Sequence, residues 1–397
     1  MSDLLNIDLD TLNREDLQNL ADQLENESAK YTAYEQAVKL TLNSIYGAFG
    51  NKWFHFFNID IAESITLQGK NAILYSEKII NKYFQEFWHK DVQVHQHFNI
   101  TVKNKVAKSA VIYIDTDSCY VQFEELYNTI EWHGEKLTID HFIMKLYKFR
   151  IKEYISKCMQ KYAEANNTDN FLVFELETIA HSGIWMAKKK YLQDIAWTDK
   201  LKEDQRYERA SYIKTIGFEV IQSSTPTFAR KKLKDALQLI FKSDQPTQES
   251  IVNFLRECKK EFKLAPIDDI AFNRRTNNIQ KYILDDYETF QFASKTPSNV
   301  KGAGYYNYLL NNSKYKKKYK TITNGEKLKI YHVADQNGLS DVFAYLPGDN
   351  PYEFAPAIDF DLQFEKAIID PMNRVLASLN MKPLDRNLIF SSSLFDF

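Results

Sequence analysis

Two β-prone runs stand back to back in this chain, Ala110-Val111-Ile112-Tyr113-Ile114 and Cys119-Tyr120-Val121-Gln122-Phe123, separated only by Asp115-Thr116-Asp117-Ser118. Branched and aromatic residues on both sides of a short polar turn specify a β-hairpin. Helical text surrounds it. Residues 10–48 read as two helices, with Asp8 or Asp10 capping the first and Leu17, Leu20, Ala21 and Leu24 at helical spacing. Residues 28–47 continue helical until Gly47 and Gly50 stop the run. Residues 61–87, with Ile65, Ala72, Ile73, Ile79, Ile80 and Tyr83, predict a long amphipathic helix, and residues 140–165 predict another. Strand-like text returns at 171–174 and 190–192. After about residue 213, amphipathic helices cover 228–243 and 250–262 before a Tyr- and Lys-rich stretch ending near residue 320. The pattern predicts an α+β chain with a small first part, a mixed α/β centre and a largely helical end.

A length of 397 residues suits more than one domain, and 44% hydrophobic with 14% aromatic residues is ample for packed cores. Only 11 Gly and 9 Pro exclude collagen-like and low-complexity chains; 24 Tyr and 27 Phe serve either aromatic cores or stacking surfaces. With 51 Lys+Arg against 53 Asp+Glu the net charge is −2, so any grip on a polyanion comes from local patches. Cys119, Cys158 and Cys258 are far apart and form no CxxC pair, which supports neither a disulfide framework nor a zinc module and makes a reducing cytosol the default. No apolar run reaches the length of a membrane span, and the opening MSDLLNIDLD is acidic where a signal peptide would be basic and then apolar. The expectation is a protein with no membrane partner. No internal repeat is present.

Two constellations carry chemistry. Asp115 and Asp117 flank the tip of the predicted hairpin, where both can lean toward one point and share a hard divalent cation. Taken alone, such a turn is what Asp, Thr and Ser ordinarily build in solvent. Lys39, Asn43 and Tyr46 fall at i, i+4 and i+7, so an ammonium, an amide and a phenol share one face of a helix running to Gly47. That face suits a triphosphate and a flat base, although any amphipathic helix can present such a polar side.

Together, Lys39-x-x-x-Asn43-Ser44-x-Tyr46-Gly47 followed by Tyr113-Ile114-Asp115-Thr116-Asp117-Ser118 resembles family B DNA polymerases, most closely the replicative polymerases of T-even-type bacteriophages. The resemblance runs from about residue 30 to the C-terminus. It implies a partial right-hand fold: a fingers remnant with the second fingers helix over 1–50, a palm over 51–213 with an antiparallel sheet, a mainly helical thumb over 214–390 and a tail over 391–397. Residues 64–70 are similar to the T-x-x-G-R element with Lys70 for Arg. The IDTDS run is similar to the palm metal motif with Ile114 for Gly and Cys119 for Ile or Val. Lys188-Lys189-Lys190-Tyr191 is similar to the K-K-R-Y element that tracks the primer end, with Lys190 for Arg. Glu175 and Glu177 look like the family's acidic pair near the metals, with Glu177 a candidate further ligand, whereas an isolated E-x-E on a strand face is more often structural.

The resemblance implies two Mg²⁺ ions, with Asp117 a direct ligand and Asp115 a supporting carboxylate, Lys39 neutralising the triphosphate and protonating the leaving group, and Asn43, Tyr46 and Gly47 against the dNTP and nascent pair. A second essential Asp and the first fingers helix of the family find no match in this chain. The opening Met1 and acidic first helix therefore suggest a separately encoded C-terminal half whose site is completed by an N-terminal polymerase/exonuclease chain. Primer–template DNA is the expected substrate, held by Lys231, Lys232 and Lys234 in SSTPTFARKKLKDAL, by Lys301, and by Lys314, Lys316, Lys317, Lys318 and Lys320 interleaved with Tyr315 and Tyr319. Leu394, Phe395 and Phe397 look like a terminal sliding-clamp peptide. The implied location is the cytoplasm of an infected bacterial cell. The alternative is a non-catalytic remnant that keeps palm and thumb to hold primer–template.

Overall fold

A computed structural model of the chain describes residues 12–199, 212–242, 247–283, 291–334, 339–386 and 389. They form two compact units divided between Phe174 and Glu175.

The first unit opens with α1 (Arg14–Phe49), a single helix where the sequence predicted two. No Gly or Pro interrupts residues 14–46, so helix propagation needs no second nucleus. Its cap is Asn13, whose Oδ1 accepts the N–H groups of Glu15 and Asp16 at 2.9 and 3.0 Å. Asp8 and Asp10 lie outside the described residues. Gly47 sits inside the helix rather than stopping it, and Gly50 is the C-cap. Leu20 is the one buried side chain of α1. Leu17, Leu24, Tyr31, Val38 and Ile45, one every seventh residue, are all exposed.

After a short turn, α2 (Ile59–Lys82) starts on Asn58, whose side chain accepts the Ile61 N–H at 3.1 Å. Its second half buries Ala72, Ile73, Ser76, Ile79 and Ile80. A π-helical turn at Tyr83–Phe87 and a 3₁₀ turn at Trp88–Lys90 then drive Tyr83, Phe84 and Trp88 into the core. The unit continues through α3 (Val92–Phe98), β1 (Ile100–Val102), β2 (Val111–Asp115), β3 (Ser118–Val121), α4 (Glu124–Asn128), β4 (Ile130–Trp132) and α5 (Ile139–Leu146). A π turn at Tyr147–Ile151 leads from α5 into α6 (Lys152–Ala165). Strand β1 pairs antiparallel with β4, and β2 with β3, as two separate ladders. The core is aromatic: Trp88 meets Phe84 and Phe142 edge-on at 6.2 and 6.1 Å. Asp91 caps α3 from a buried position, taking Tyr83 Oη at 2.9 Å and Arg150 Nε at 2.7 Å, so its charge is paired inside the fold.

The predicted strand at 171–174 does not form. This segment pairs with no strand among the described residues, and Phe171 is 86% exposed, because an apolar run without a neighbouring edge has no ladder to join.

The second unit begins with an antiparallel sheet of β5 (Thr178–Ala187), β6 (Lys190–Thr198) and β7 (Tyr212–Ile216), in that order. Helices α7 (Thr227–Lys242) and α8 (Gln248–Leu264) follow as predicted, and their apolar faces meet around Leu233, Leu237, Leu255 and Phe262. Beyond them come α9 (Ile267–Ile270), β8 (Phe272–Arg275), α10 (Ile279–Tyr282), α11 (Ser298–Asn311), β9 (Lys327–His332), β10 (Val342–Tyr345), α12 (Phe360–Phe364) and α13 (Asp370–Ser378). The predicted largely helical end therefore needs correction: β8, β9 and β10 make a three-stranded antiparallel sheet, with β9 central. Helix α11 lies on it through Gly302, where an added Cβ would stand 3.0 Å from the Cβ of Ala344.

Candidate polymerase active site

The hairpin forms as predicted, with Asp115 paired to Ser118, Ile114 to Cys119 and Tyr113 to Tyr120, and a bulge between Val111 and Tyr113. The tight turn is made by Thr116 at φ +52°, a left-handed conformation costly for a branched residue. The Asp117 N–H donates to the Asp115 carbonyl at 2.6 Å, and Ser118 Oγ donates to the same carbonyl at 3.1 Å. Ile114, which stands where the family motif has Gly, lies in regular strand and takes no part in the turn's left-handed step.

The two carboxylates have different surroundings. Asp115 is half-buried and its Oδ1 accepts the Thr116 hydroxyl at 3.1 Å. Asp117 is exposed, and no donor among the described residues engages its carboxylate. Both carboxylates are hard oxygen donors of the kind that bind divalent cations, carried two residues apart on one tight turn. Among the described residues no group of three or more His, Cys, Asp or Glu side chains is arranged to hold a metal. Cys119 adds no negative ligand: burial, then the charge of Glu77, pushes its thiol up to about 12, so it behaves as a small apolar residue.

Lys39, Asn43 and Tyr46 lie on α1, all exposed, as is Gly47. Helix α1 packs on α2, and α2 packs in turn on both β2 and β3, so one helix supports the two constellations of this unit. Residues 64–70 all fall within α2, with Lys70 exposed.

Glu175 and Glu177 belong to the second unit, in the extended segment before β5, and both are exposed. Lys214 approaches Glu177 at 3.7 Å. Lys188 and Lys189 form the tip of the β5–β6 hairpin, closed by the Ala187–Lys190 pair, with Lys189 left-handed at φ +59°. Lys190 is half-buried, and Tyr191 points inward at 4% exposure with its ring stacked on Trp185.

On α7, Lys231 and Lys234 are exposed, whereas Lys232 ion-pairs with Glu261 at 2.7 Å and lies over the Phe228 ring. Lys301 stands 3.4 Å from Asp341. In the basic run, Lys314, Lys316, Lys317 and Lys320 are exposed, Lys318 pairs with Glu353, and Tyr319 is buried. Leu394, Phe395 and Phe397 lie outside the described residues. Sequence reasoning singled out lysines and passed over Arg274, which lines a pocket in the second unit; a lone arginine in a short strand carries no spacing signal.

With the hairpin, the helix face and the lysine turn in view, comparison with known proteins gives a class. The family model for DNA polymerase family B matches residues 11–379, and the chain belongs to that family. It is 26% identical over 379 residues to the DNA-directed DNA polymerase of Escherichia phage RB69, covering 90% of this chain and 38% of that protein. It is 23% identical over 364 residues to the DNA-directed DNA polymerase of Enterobacteria phage T4, covering 86% and 37%. A DNA polymerase of Phaeocystis pouchetii virus is 28% identical over 141 residues, 32% of this chain and 12% of the viral protein. The chain thus spans under two fifths of the length of the phage polymerases it matches. Among the described residues, no helix is long and apolar enough to cross a membrane.

Proposed function

We propose that this chain is the C-terminal part of a replicative DNA-directed DNA polymerase, adding dNMP units to a primer 3′ end, and that an N-terminal partner chain completes its active site. The observation that carries the reading is the hairpin tip: Asp117 exposed and unclaimed, two residues from half-buried Asp115, with no group of three or more His, Cys, Asp or Glu side chains arranged to hold a metal among the described residues of a family B chain. Two-metal phosphoryl transfer calls for carboxylates from more than one strand. The partner is the source of the remaining ligand. The exposed seventh-residue row of α1, Leu17 to Ile45, supports the view that the same partner lays the missing first fingers helix along it.

In this reading residues 1–50 are the fingers remnant, 51–213 the palm, 214–390 the thumb and 391–397 a tail for a sliding clamp. Asp117 and Asp115 would hold Mg²⁺. Bound Mg²⁺ supplies charge neutralisation on the triphosphate and favours an ionised primer hydroxyl. The chain's own residues do the rest. Lys39 neutralises the triphosphate and delivers a proton to the leaving pyrophosphate. Asn43 and Tyr46 confine the nascent pair, and Gly47 lets it approach the helix closely. Base choice comes from the template, so no base-reading side chains are needed. Lys188, Lys189 and Lys190 hold primer phosphates, and buried Tyr191 anchors the strand that carries them. Lys231 and Lys234 reach the duplex directly, while Lys232 and Lys301 would first exchange Glu261 and Asp341 for a phosphate. The setting is the cytoplasm of an infected bacterium.

The test is primer extension with Mg²⁺ by this chain mixed with its N-terminal partner. Extension only in the mixture, lost in Asp117→Ala, is expected; extension by the chain alone would overturn the split reading. The second reading, a non-catalytic holder of primer–template, predicts duplex binding without extension in any mixture.

A further inference from the structure

The second unit carries a half-open pocket of about 330 Å³ whose wall includes Arg274 from β8, Glu219, Lys366 and Arg374. Two of the three cations are already paired, Arg374 with Glu219 and Lys366 with Asp370 at 3.0 Å. Arg274, an exposed residue, is not: no carboxylate among the described residues meets it. Its Nη1 donates to the carbonyls of Ser224 at 3.1 Å and Asn273 at 2.9 Å, and its Cζ lies 5.2 Å from the Phe272 ring centroid. The guanidinium is therefore held in place by one nitrogen and one ring face. The Nε and Nη2 donors, three of an arginine's five N–H groups, have no partner among the described residues. That free edge is the fork that grips a phosphate bidentately.

The neighbouring cation is closed off differently. Arg374 is held by one oxygen of Glu219, whose other oxygen, Oε2, is buried without a hydrogen-bond partner among the described residues, so this pair leaves Arg274 as the cation open to a ligand. We infer that this pocket is a phosphate-binding site in which Arg274 takes the phosphate and the Glu219 charge, by holding Arg374, limits the attraction of the wall for it.

The phosphate could belong to a nucleic-acid strand or to a free nucleotide, and one experiment separates them. The strand arm rests on the proposed polymerase function; the nucleotide arm does not. The full chain, Arg274→Gln and Glu219→Gln are each titrated with dAMP and with a primer–template duplex at several salt concentrations, after matching circular dichroism confirms folding. For a strand, Arg274→Gln weakens duplex binding and lowers the salt slope by about 0.9, while Glu219→Gln, which removes a negative charge and frees Arg374, tightens it. For a free nucleotide, the same opposite changes are seen with dAMP and the duplex slope stays put. If Arg274→Gln binds both probes as the unaltered chain does, the site is overturned. If the unaltered chain binds no duplex, the strand reading of both this site and the thumb fails, and dAMP alone decides the pocket.

Discussion

The carbonyl oxygen of Lys189 lies 2.1 Å from where a Cβ on Gly217 would stand, and Gly217 itself is held at φ +65°. The turn carrying the lysines is therefore seated against a backbone position that only glycine can occupy. Gly217→Ala is expected to lower stability by roughly 2 kcal/mol or more, from the left-handed backbone and the collision together. Urea unfolding followed by circular dichroism reads it; a change within about 0.5 kcal/mol, the ordinary range for surface substitutions, would show that the turn is not seated there.

Asp117 and Asp115 should separate structure from chemistry. Asp117 makes no side-chain contact that folding needs, so Asp117→Asn should leave the melting temperature unchanged while extension by the assembled enzyme falls more than about 100-fold, the scale of losing one group that stabilises developing charge. Asp115→Ala also loses the Thr116 hydroxyl bond and should lower stability measurably. Equal loss of melting temperature in both variants would speak against the division of roles.

The ion pair at Glu353 predicts a pH dependence. Hydrogen bonds from Lys318 and Tyr319 hold the Glu353 carboxyl down to about 2 from its ordinary 4.5. A carboxylate depressed in the folded state stabilises fully above its unfolded value, and that contribution fades as pH falls from about 4.5 toward about 2. Thermal melts from pH 5 to pH 2 should therefore fall more steeply for the unaltered chain than for Glu353→Gln. Parallel curves would mean the bonds contribute nothing.

Adjacent lysines on α7 should behave differently. Lys231 is exposed, and Lys231→Ala is expected to lower the salt slope of duplex binding by about 0.9. Lys232 is committed to Glu261 and covers Phe228, so Lys232→Ala should leave the slope unchanged and lower stability by up to about 1 kcal/mol. Equal slopes for the two variants would place the duplex elsewhere.

Local chemistry explains which elements were legible in the sequence. The hairpin, α2, α7 and α8 follow from periodicity that each segment carries by itself. The sheet of β8, β9 and β10 did not declare itself, because Phe272 meets Ile330 across a long stretch of intervening chain, and such register is set by packing. The 171–174 run has strand composition but no neighbouring edge, which composition does not reveal. At the site, residue identities came through the family pattern, while commitments such as Lys232 to Glu261 depend on another helix and leave no trace in local spacing. Arg274 was passed over for a related reason: what distinguishes it is the missing counter-ion around it.

Helix α1 holds its amides almost entirely by its own ladder, since Leu20 alone among its 36 residues is buried. Local opening there needs little tertiary disruption, whereas the second half of α2 opens only with the aromatic core. In deuterium exchange the amides around Lys39, Asn43 and Tyr46 would label early and those around Ile79 and Ile80 late. The residues proposed to face the nucleotide thus ride on a weakly protected stretch, and a chain laid along that stretch would announce itself first as slowed isotope uptake.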